Sequence, residues 1–95
     1  MESMTISVQE EIHRLLQVYC TEQQLQYSKK RHIILNHILQ QKDWIDAVDL
    51  WISMKRTVSV SCIYQTLRLL VSAGIVEKKV ESDRTKFFRI AVKPH

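Results

Sequence analysis

The chain has 95 residues, a formal net charge of +4, and 45% hydrophobic and 25% charged residues. This length suffices for one domain with a single modest core, and the composition is unlike that of a disordered chain. Apolar runs are too short for a membrane-spanning helix, and the first residues do not resemble a signal peptide. Because the only cysteines, Cys20 and Cys62, lie far apart in the sequence, we expect a reduced, cytoplasmic protein without disulfides.

The positive charge is concentrated in the second half of the chain. Residues 1–50 contain five Lys/Arg and seven Asp/Glu, whereas residues 51–95 contain nine Lys/Arg and three Asp/Glu. A strongly basic half favours a polyanionic partner, and the alternative is an ordinary solvated basic surface.

Two helices are predicted in the first part of the chain. Ser7 followed by Glu10 is a capping-box pattern, which predicts a helix from about Val8 to Tyr19 or Cys20. Its expected buried stripe comprises Ile12, Leu15, Leu16 and Tyr19. Ser28 should cap a second helix that reaches about Gln40 and buries Ile34, Leu35 and Ile38.

The second helix begins with three cations, Lys29, Lys30 and Arg31. The helix dipole disfavours positive charge at this end. We therefore predict that these residues contact the phosphates of a nucleic-acid backbone, the alternative being a solvated basic turn.

A helix-turn-helix is predicted next. Asp46 can cap a short helix from Ala47 to about Met54, and Ser59 can cap a fourth helix that Gly74 ends. Two helices joined by so short a loop are typical of a helix-turn-helix, whose second helix is the recognition helix.

The fourth helix has an apolar and a polar face, because residues advance by about 100° along a helix. The apolar face comprises Ile63, Thr66, Leu67, Leu70 and Ala73. The polar face comprises Ser61, Gln65, Arg68 and Ser72, with Tyr64 on its flank. This face contains hydrogen-bonding groups, a cation and an aromatic ring but no acid, which suits the major groove of DNA. We predict that Ser61, Tyr64, Gln65 and Arg68 read bases, the alternative being an ordinary solvated face.

Two short strands are predicted after Gly74, over Ile75–Val80 and Thr85–Ile90. In this position they form a wing. Its basic residues are predicted to contact the DNA backbone: Lys78, Lys79, Arg84 and Lys86. The predicted fold is mainly α with a small β wing, a winged helix-turn-helix of four helices followed by a two-stranded antiparallel hairpin. It forms a single domain over 1–95, with an N-terminal helix and loop in 1–25, three helices in 28–73 and the wing in 75–90.

Three segments between Tyr27 and Ile90 follow the order and spacing of a known family. They are Ser28-Lys29-Lys30-Arg31 with Ile34-Leu35 and Ile38, then Ala47-Val48-Asp49-Leu50-Trp51, then Val58-Ser59 through Tyr64-Gln65-Thr66-Leu67 to Ala73-Gly74-Ile75-Val76. In these segments the chain resembles the DNA-binding half of the ferric uptake regulator (Fur) family. The resemblance implies a winged helix-turn-helix that binds double-stranded DNA.

The chain also departs from that family's pattern. Family members carry a second, α/β domain that dimerises and holds metal ions, and neither this domain nor the His-x-His and Cys-x-x-Cys motifs has a counterpart here. We therefore expect no metal sensor and no cofactor. Gln65 and Cys62 stand where the family has Arg and Thr. The change at Gln65 removes a phosphate contact, although an amide can still read adenine.

No enzyme chemistry is predicted, because the four histidines do not fall at metal-ligand spacings and no cysteine pair accompanies them. We expect no catalytic and no metal residues. The predicted function is sequence-specific DNA binding by a transcriptional regulator. The alternative is a winged helix that serves as a protein-interaction module. Because regulation usually needs two copies on a two-fold site, self-association through the first helix, or a partner protein, is a further hypothesis.

Overall fold

The helices occupy the predicted stretches of the chain. The computed structural model describes the backbone of residues 6–41, 43–81 and 86–91, with side chains from residue 8 onward. The elements are α1 (Ile6–Glu22), α2 (Lys29–Leu39), β1 (Ile45–Asp46), α3 (Ala47–Ser53), α4 (Val60–Ser72), β2 (Val76–Val80) and β3 (Lys86–Ile90). The predicted class, mainly α with a small β wing, is confirmed. None of the helices in the described residues is long and apolar enough to cross a bilayer.

Three helices begin at the predicted caps. The Ser28 hydroxyl accepts a hydrogen bond from the Arg31 amide at 3.2 Å, and the Ser59 hydroxyl accepts one from the Cys62 amide at 3.1 Å. The Asp46 carboxylate accepts from the amides of Val48 and Asp49. Each cap satisfies an amide that the first turn leaves without a carbonyl partner.

Two details of the α1 prediction were wrong. Ser7, whose side chain lies outside the described part, lies inside α1 (Ile6–Glu22) instead of at its cap. Its buried stripe runs Ile12, Leu16 and Cys20, whereas Leu15 is 41% exposed and Tyr19 is half-buried. Steps of four residues keep this stripe on one face through Cys20, which turns Leu15 towards solvent.

α1 is fastened to α2 by a hydrogen-bonded histidine cluster that the sequence analysis missed. His13 Nδ1 lies 2.8 Å from the Tyr27 hydroxyl, which lies 2.9 Å from His32 Nδ1. His13 Nε2 lies 2.7 Å from the Asn36 carbonyl oxygen, and the two imidazoles stack with centroids 4.1 Å apart. Since that carbonyl can only accept, His13 donates from Nε2. When His13 is neutral, its Nδ1 accepts from the Tyr27 hydroxyl, and that hydroxyl oxygen accepts from Nδ1 of a neutral His32. The network is therefore complete with both imidazoles neutral.

Burial shifts the pKa values of this cluster. It lowers the pKa of His13 below 6.5, and the nearby His32 lowers that pKa further. The hydrogen bond to Asn36 opposes this shift but does not cancel it. Burial, with a contribution from Cys20, raises the pKa of Tyr27 to about 12. Both shifts favour the neutral forms, with which the hydrogen-bond network is complete.

The sheet has three strands in the order β1-β3-β2, not the two that were predicted. β1 pairs with β3 through Ile45 opposite Phe88 and Asp46 opposite Phe87. A strand of two residues shows no alternation, so nothing in its own sequence distinguishes it from a loop. β2 starts at Val76, one residue later than predicted, and the described part of β3 starts at Lys86. Thr85, where β3 was predicted to start, lies outside the described residues.

The antiparallel register sorts the wing side chains onto two faces, because directly opposed residues share a face. Three opposed pairs lie on the face that continues from the core: Val76 with Ile90, Lys78 with Phe88, and Val80 with Lys86. Two lie on the other face: Glu77 with Arg89, and Lys79 with Phe87.

Gly74 joins α4 to the wing. It has a φ of +77°, a conformation that costs residues with a side chain about 1–2 kcal/mol. The next residue, Ile75, is buried and donates its amide to the Leu70 carbonyl at 3.0 Å. Its own carbonyl accepts from the Ala91 amide at 2.8 Å. One residue thus connects the end of α4 to both ends of the hairpin.

We expect Gly74→Ala to destabilise the domain by about 1–2 kcal/mol. The cost comes from the backbone alone, since no atom lies within 4 Å of a Cβ built at this position. Gly74→Asn should lose less, because asparagine tolerates the left-handed region. Urea denaturation measures both, with Ser72→Ala on the exposed face of α4 as the control. Equal losses for Ala and Asn would contradict a purely backbone origin.

Stability should decrease as the pH falls below 6.5, the ordinary pKa of His13. Below that pH, His13 is protonated in the unfolded chain but still neutral in the folded chain, because folding lowers its pKa. Folding must therefore release a proton, which becomes harder as the pH falls. The decrease should end once the pH is below the folded pKa. Denaturation midpoints between about pH 5 and 8 test this. His13→Phe should flatten the dependence in this window, whereas the control His37→Gln should retain it.

Candidate nucleic-acid interface

The turn between α3 and α4 is fixed by side-chain contacts. The Trp51 indole N–H donates to the Val58 carbonyl at 2.7 Å, and the Thr57 hydroxyl donates to the Met54 carbonyl at 2.9 Å. The Arg56 guanidinium lies 5.2 Å from the centre of the Trp51 ring. Lys55 and Arg56 both have a φ of 57°, a strained conformation for residues with side chains. These bonds hold the strained turn and thereby set the direction in which α4 leaves it.

The core fixes the rotation of α4 about its axis. Its buried residues are Ile63, Thr66, Leu67 and Leu70, as predicted, while Ala73 is half-buried. The opposite face carries exposed Ser61, Tyr64, Gln65, Arg68 and Ser72. In the described part of the chain, the side chains of Ser61, Gln65 and Arg68 make no hydrogen bond or ion pair. Their polar atoms are therefore available to a partner.

Arg68 and two wing lysines meet at one cleft. A cavity of about 140 Å³ separates the second half of α4 from the inner face of the wing. Its charged and aromatic walls are Tyr64, Arg68, Lys78, Lys86 and Phe88. Lys78 and Lys86, predicted as wing residues that contact the DNA backbone, thus lie beside the polar face of α4.

Lys79 lies on the opposite face of the wing from Lys78. Its ammonium group is 4.7 Å from the centre of the Trp44 ring and 4.0 Å from the Glu81 carboxylate. Arg89 adds to this cluster, with its guanidinium 4.3 Å from the same ring and its Nε 2.6 Å from Glu77. Lys79 is thus already paired and turned away from α4. Arg84, the remaining wing prediction, lies outside the described residues.

The start of α2 approaches the first half of α4. Arg31 and Gln65 line a second cleft, of about 230 Å³. The Arg31 guanidinium also donates to the Gln26 carbonyl, which partly satisfies it. Lys29 and Lys30 are exposed at the same helix end. The predicted cations of α2 therefore divide into a positioned arginine and two solvated lysines.

The outer-face cluster of Trp44, Phe87, Lys79 and Arg89 was not predicted. The only sequence signal for this cluster was the alternation of side chains along β3. It places Phe87 and Arg89 on one face of the strand, and Lys86 and Phe88 on the other. Trp44 joins them only because β1 pairs with β3, a contact with no local signature.

The described histidines do not form a metal centre. In residues 8–41, 43–81 and 86–91 no three His, Cys, Asp or Glu side chains are grouped so as to hold a metal ion. His13 and His32 lie together, but both ring nitrogens of His13 and Nδ1 of His32 already have protein partners.

A model of the ferric uptake regulator family matches residues 22–95. The chain belongs to this family. A comparison with curated proteins gives no match.

Solved structures of Fur and PerR proteins share the fold. One is the ferric uptake regulator of Helicobacter pylori, whose structure is described as revealing three functional metal binding sites. The two folds superpose with a TM-score of 0.83 at 19% sequence identity, and the matched region covers 100% of this chain and 64% of the Helicobacter pylori chain. PerR of Streptococcus pyogenes has a TM-score of 0.70 at 18% identity, and the matched region covers 83% of this chain and 56% of the PerR chain. Fur of Pseudomonas aeruginosa has a TM-score of 0.65 at 19% identity, and the matched region covers 77% of this chain and 57% of that Fur chain. The winged helix-turn-helix fold is shown, and the chain spans less than two thirds of each relative's length.

Exposed residues of α4 in this Fur-family chain should be dispensable for folding. We expect Gln65→Ala and Arg68→Ala to change the free energy of unfolding by less than about 0.5 kcal/mol, because neither side chain has a partner within the described domain. Leu67→Ala, on the buried face of the same helix, should cost about 2–5 kcal/mol. Urea denaturation compares the three. A large loss in either surface variant would indicate a structural role instead of a binding role.

Proposed function

We propose that this chain binds double-stranded DNA as a transcriptional regulator, with α4 in the major groove and the wing beside it. The observation that carries the proposal is the polar face of α4, which is exposed, free of acids and without partners in the described domain. A face prepared for intramolecular contacts would have its hydrogen-bonding groups paired. Membership of the family and the described DNA-binding domains of the Vibrio cholerae ferric uptake regulator support the same function.

The first half of α4 would read bases. The Gln65 amide has the donor and acceptor that adenine requires in the major groove. The exposed Tyr64 ring offers an apolar edge to a thymine methyl group, and the Ser61 hydroxyl can donate or accept. Arg68, the fourth predicted base reader, lies about one turn further along, beside the wing lysines.

The cations around α4 would contact the sugar–phosphate backbone. Lys29 and Lys30 are exposed at the start of α2, where the neighbouring Arg31 lines a cleft with α4. Lys78 and Lys86 lie on the wing side. Such contacts position a protein on the duplex without reading its sequence. The same role was predicted for Lys79, but its ammonium is held over Trp44 on the other face of the wing, so its contribution is limited to its charge.

A protein-interaction module remains the second candidate function. α3 exposes two apolar side chains one turn apart, Val48 at 41% and Ile52 at 49%, and exposed apolar neighbours are typical of protein contacts. α1 similarly exposes Leu15 and Val18, which supports the hypothesis of self-association through this helix. A monomeric sedimentation profile at high concentration would contradict it.

We also propose that the chain regulates without its own metal sensor, since the described residues offer no group of three ligands. DNA binding that is unchanged by a chelator is the expected result. Restoration of binding by added iron or zinc after chelation would refute this.

Fluorescence anisotropy with duplex DNA tests the proposed function. Binding to random-sequence duplexes should weaken linearly in log affinity against log salt concentration, because phosphate contacts release counterions. On a selected site, Gln65→Ala should lose about 1–3 kcal/mol of discrimination at one base pair while the salt slope is unchanged. Gln23→Ala, at an exposed glutamine in the turn that follows α1, is the control. No binding even at low salt would reject the proposal in favour of the protein-interaction module.

A further inference from the structure

The cleft between α4 and the wing has a strongly positive rim and an apolar floor. Arg68 comes from the helix, and Lys78 and Lys86 come from adjacent strands of the wing. Val71, Tyr64 and the buried Phe88 line the same cleft. The low polarity of the floor strengthens the interaction of the rim cations with a bound charge.

No acid compensates these cations in the described part of the chain. Arg68, Lys78 and Lys86 have no carboxylate within ion-pair distance there. The acids of β2 and its end, Glu77 and Glu81, are paired with Arg89 and Lys79 on the opposite face. Three like charges that share one cleft repel each other, and a bound anion removes that cost.

The size and chemistry of the cleft fit a phosphate group. Its volume of about 140 Å³ is large enough to admit a group of several heavy atoms such as a phosphate, because a single water needs only about 10–15 Å³ of such space. Arginine supplies a planar fork of donors for phosphate oxygens, and lysine supplies a point charge. The Tyr64 hydroxyl adds a donor.

We propose that Arg68, Lys78 and Lys86 together hold a single phosphate group in this cleft. This inference rests on the proposed function: if the chain binds DNA, the phosphate is a phosphodiester of the DNA backbone. A duplex presents its backbone between the two grooves, so a strand passing from α4 to the wing crosses the cleft. Arg68 is accordingly a phosphate ligand, not the base reader that its position on α4 predicted. The same chemistry would also accept a free phosphate group.

The salt dependence of DNA binding distinguishes one shared phosphate from three separate ones. The slope of log affinity against log salt becomes shallower by about 0.9 for each phosphate that the protein no longer neutralises. If three cations share one phosphate, the triple variant R68Q/K78Q/K86Q should reduce the slope by about this single increment. Three independent phosphates should reduce it by about three times as much. The single variants should be non-additive for the same reason.

Lys79→Gln is the matched control. It removes the same charge from the residue next to Lys78, but from the opposite face of the wing. It should leave the slope nearly unchanged, and R68Q should weaken selected and random duplexes by the same factor. A triple variant with an unchanged slope, or with a reduction three times larger, overturns the shared site while the proposed DNA binding stands. Loss of base preference in R68Q overturns it too.

A titration with inorganic phosphate separates the two sources of the ligand. The signal of the Arg68 Nε–H group in the NMR spectrum should shift saturably with phosphate, relative to chloride at equal ionic strength, and should not shift in K78Q/K86Q. If the wild type does not bind DNA, the proposed function fails, and a saturable shift then supports a site for free phosphate groups. Absence of both the shift and the change in DNA salt slope overturns the site altogether.

Discussion

The buried Ile75 is the residue on which the arrangement of α4 and the wing depends. Its amide closes the last turn of α4 at Leu70, and its carbonyl holds Ala91 at the end of β3. Gly74 immediately before it provides the positive φ that lets the chain reverse from helix to strand without a linker. Only three residues separate α4 from β2, and the two hydrogen bonds of Ile75 tie the hairpin to the end of the helix. The spacing between Arg68 and the wing lysines follows from this junction.

Strand geometry gives neighbouring lysines opposite roles. Lys78 and Lys79 are adjacent in the sequence, yet one faces α4 and the other lies over Trp44. The acids follow the same alternation, because Glu77 and Glu81 share the face of Lys79. Among the described residues of the wing, carboxylates are thereby kept off the face that carries Lys78 and Lys86. These described residues thus concentrate uncompensated positive charge on one side of the wing.

Features that depend on local sequence were predictable, and those that depend on distant pairing were not. Ser28, Asp46, Ser59 and Gly74 act within a few residues of themselves, so capping and turn chemistry identified every boundary that they set. The strand β1 exists only because Ile45 meets Phe88, 43 positions later, and two residues carry no period. The contact of His13 with Asn36 likewise spans 23 positions. The placement of Lys78 and Lys79 on opposite faces of the wing could be assigned only from the register of the hairpin.

The same reasoning explains how this chain can lack the arginine that its family resemblance implies at Gln65. A neutral amide there leaves the middle of α4 without charge, but Arg68 places a cation about one turn later on the same face. In that position the guanidinium joins two lysines of the wing instead of acting alone. In the proposed complex with DNA, the electrostatic anchor would lie at the junction of α4 with the wing instead of at the centre of the helix. Gln65 would then make no backbone contact, and its donor and acceptor would be available to a base edge.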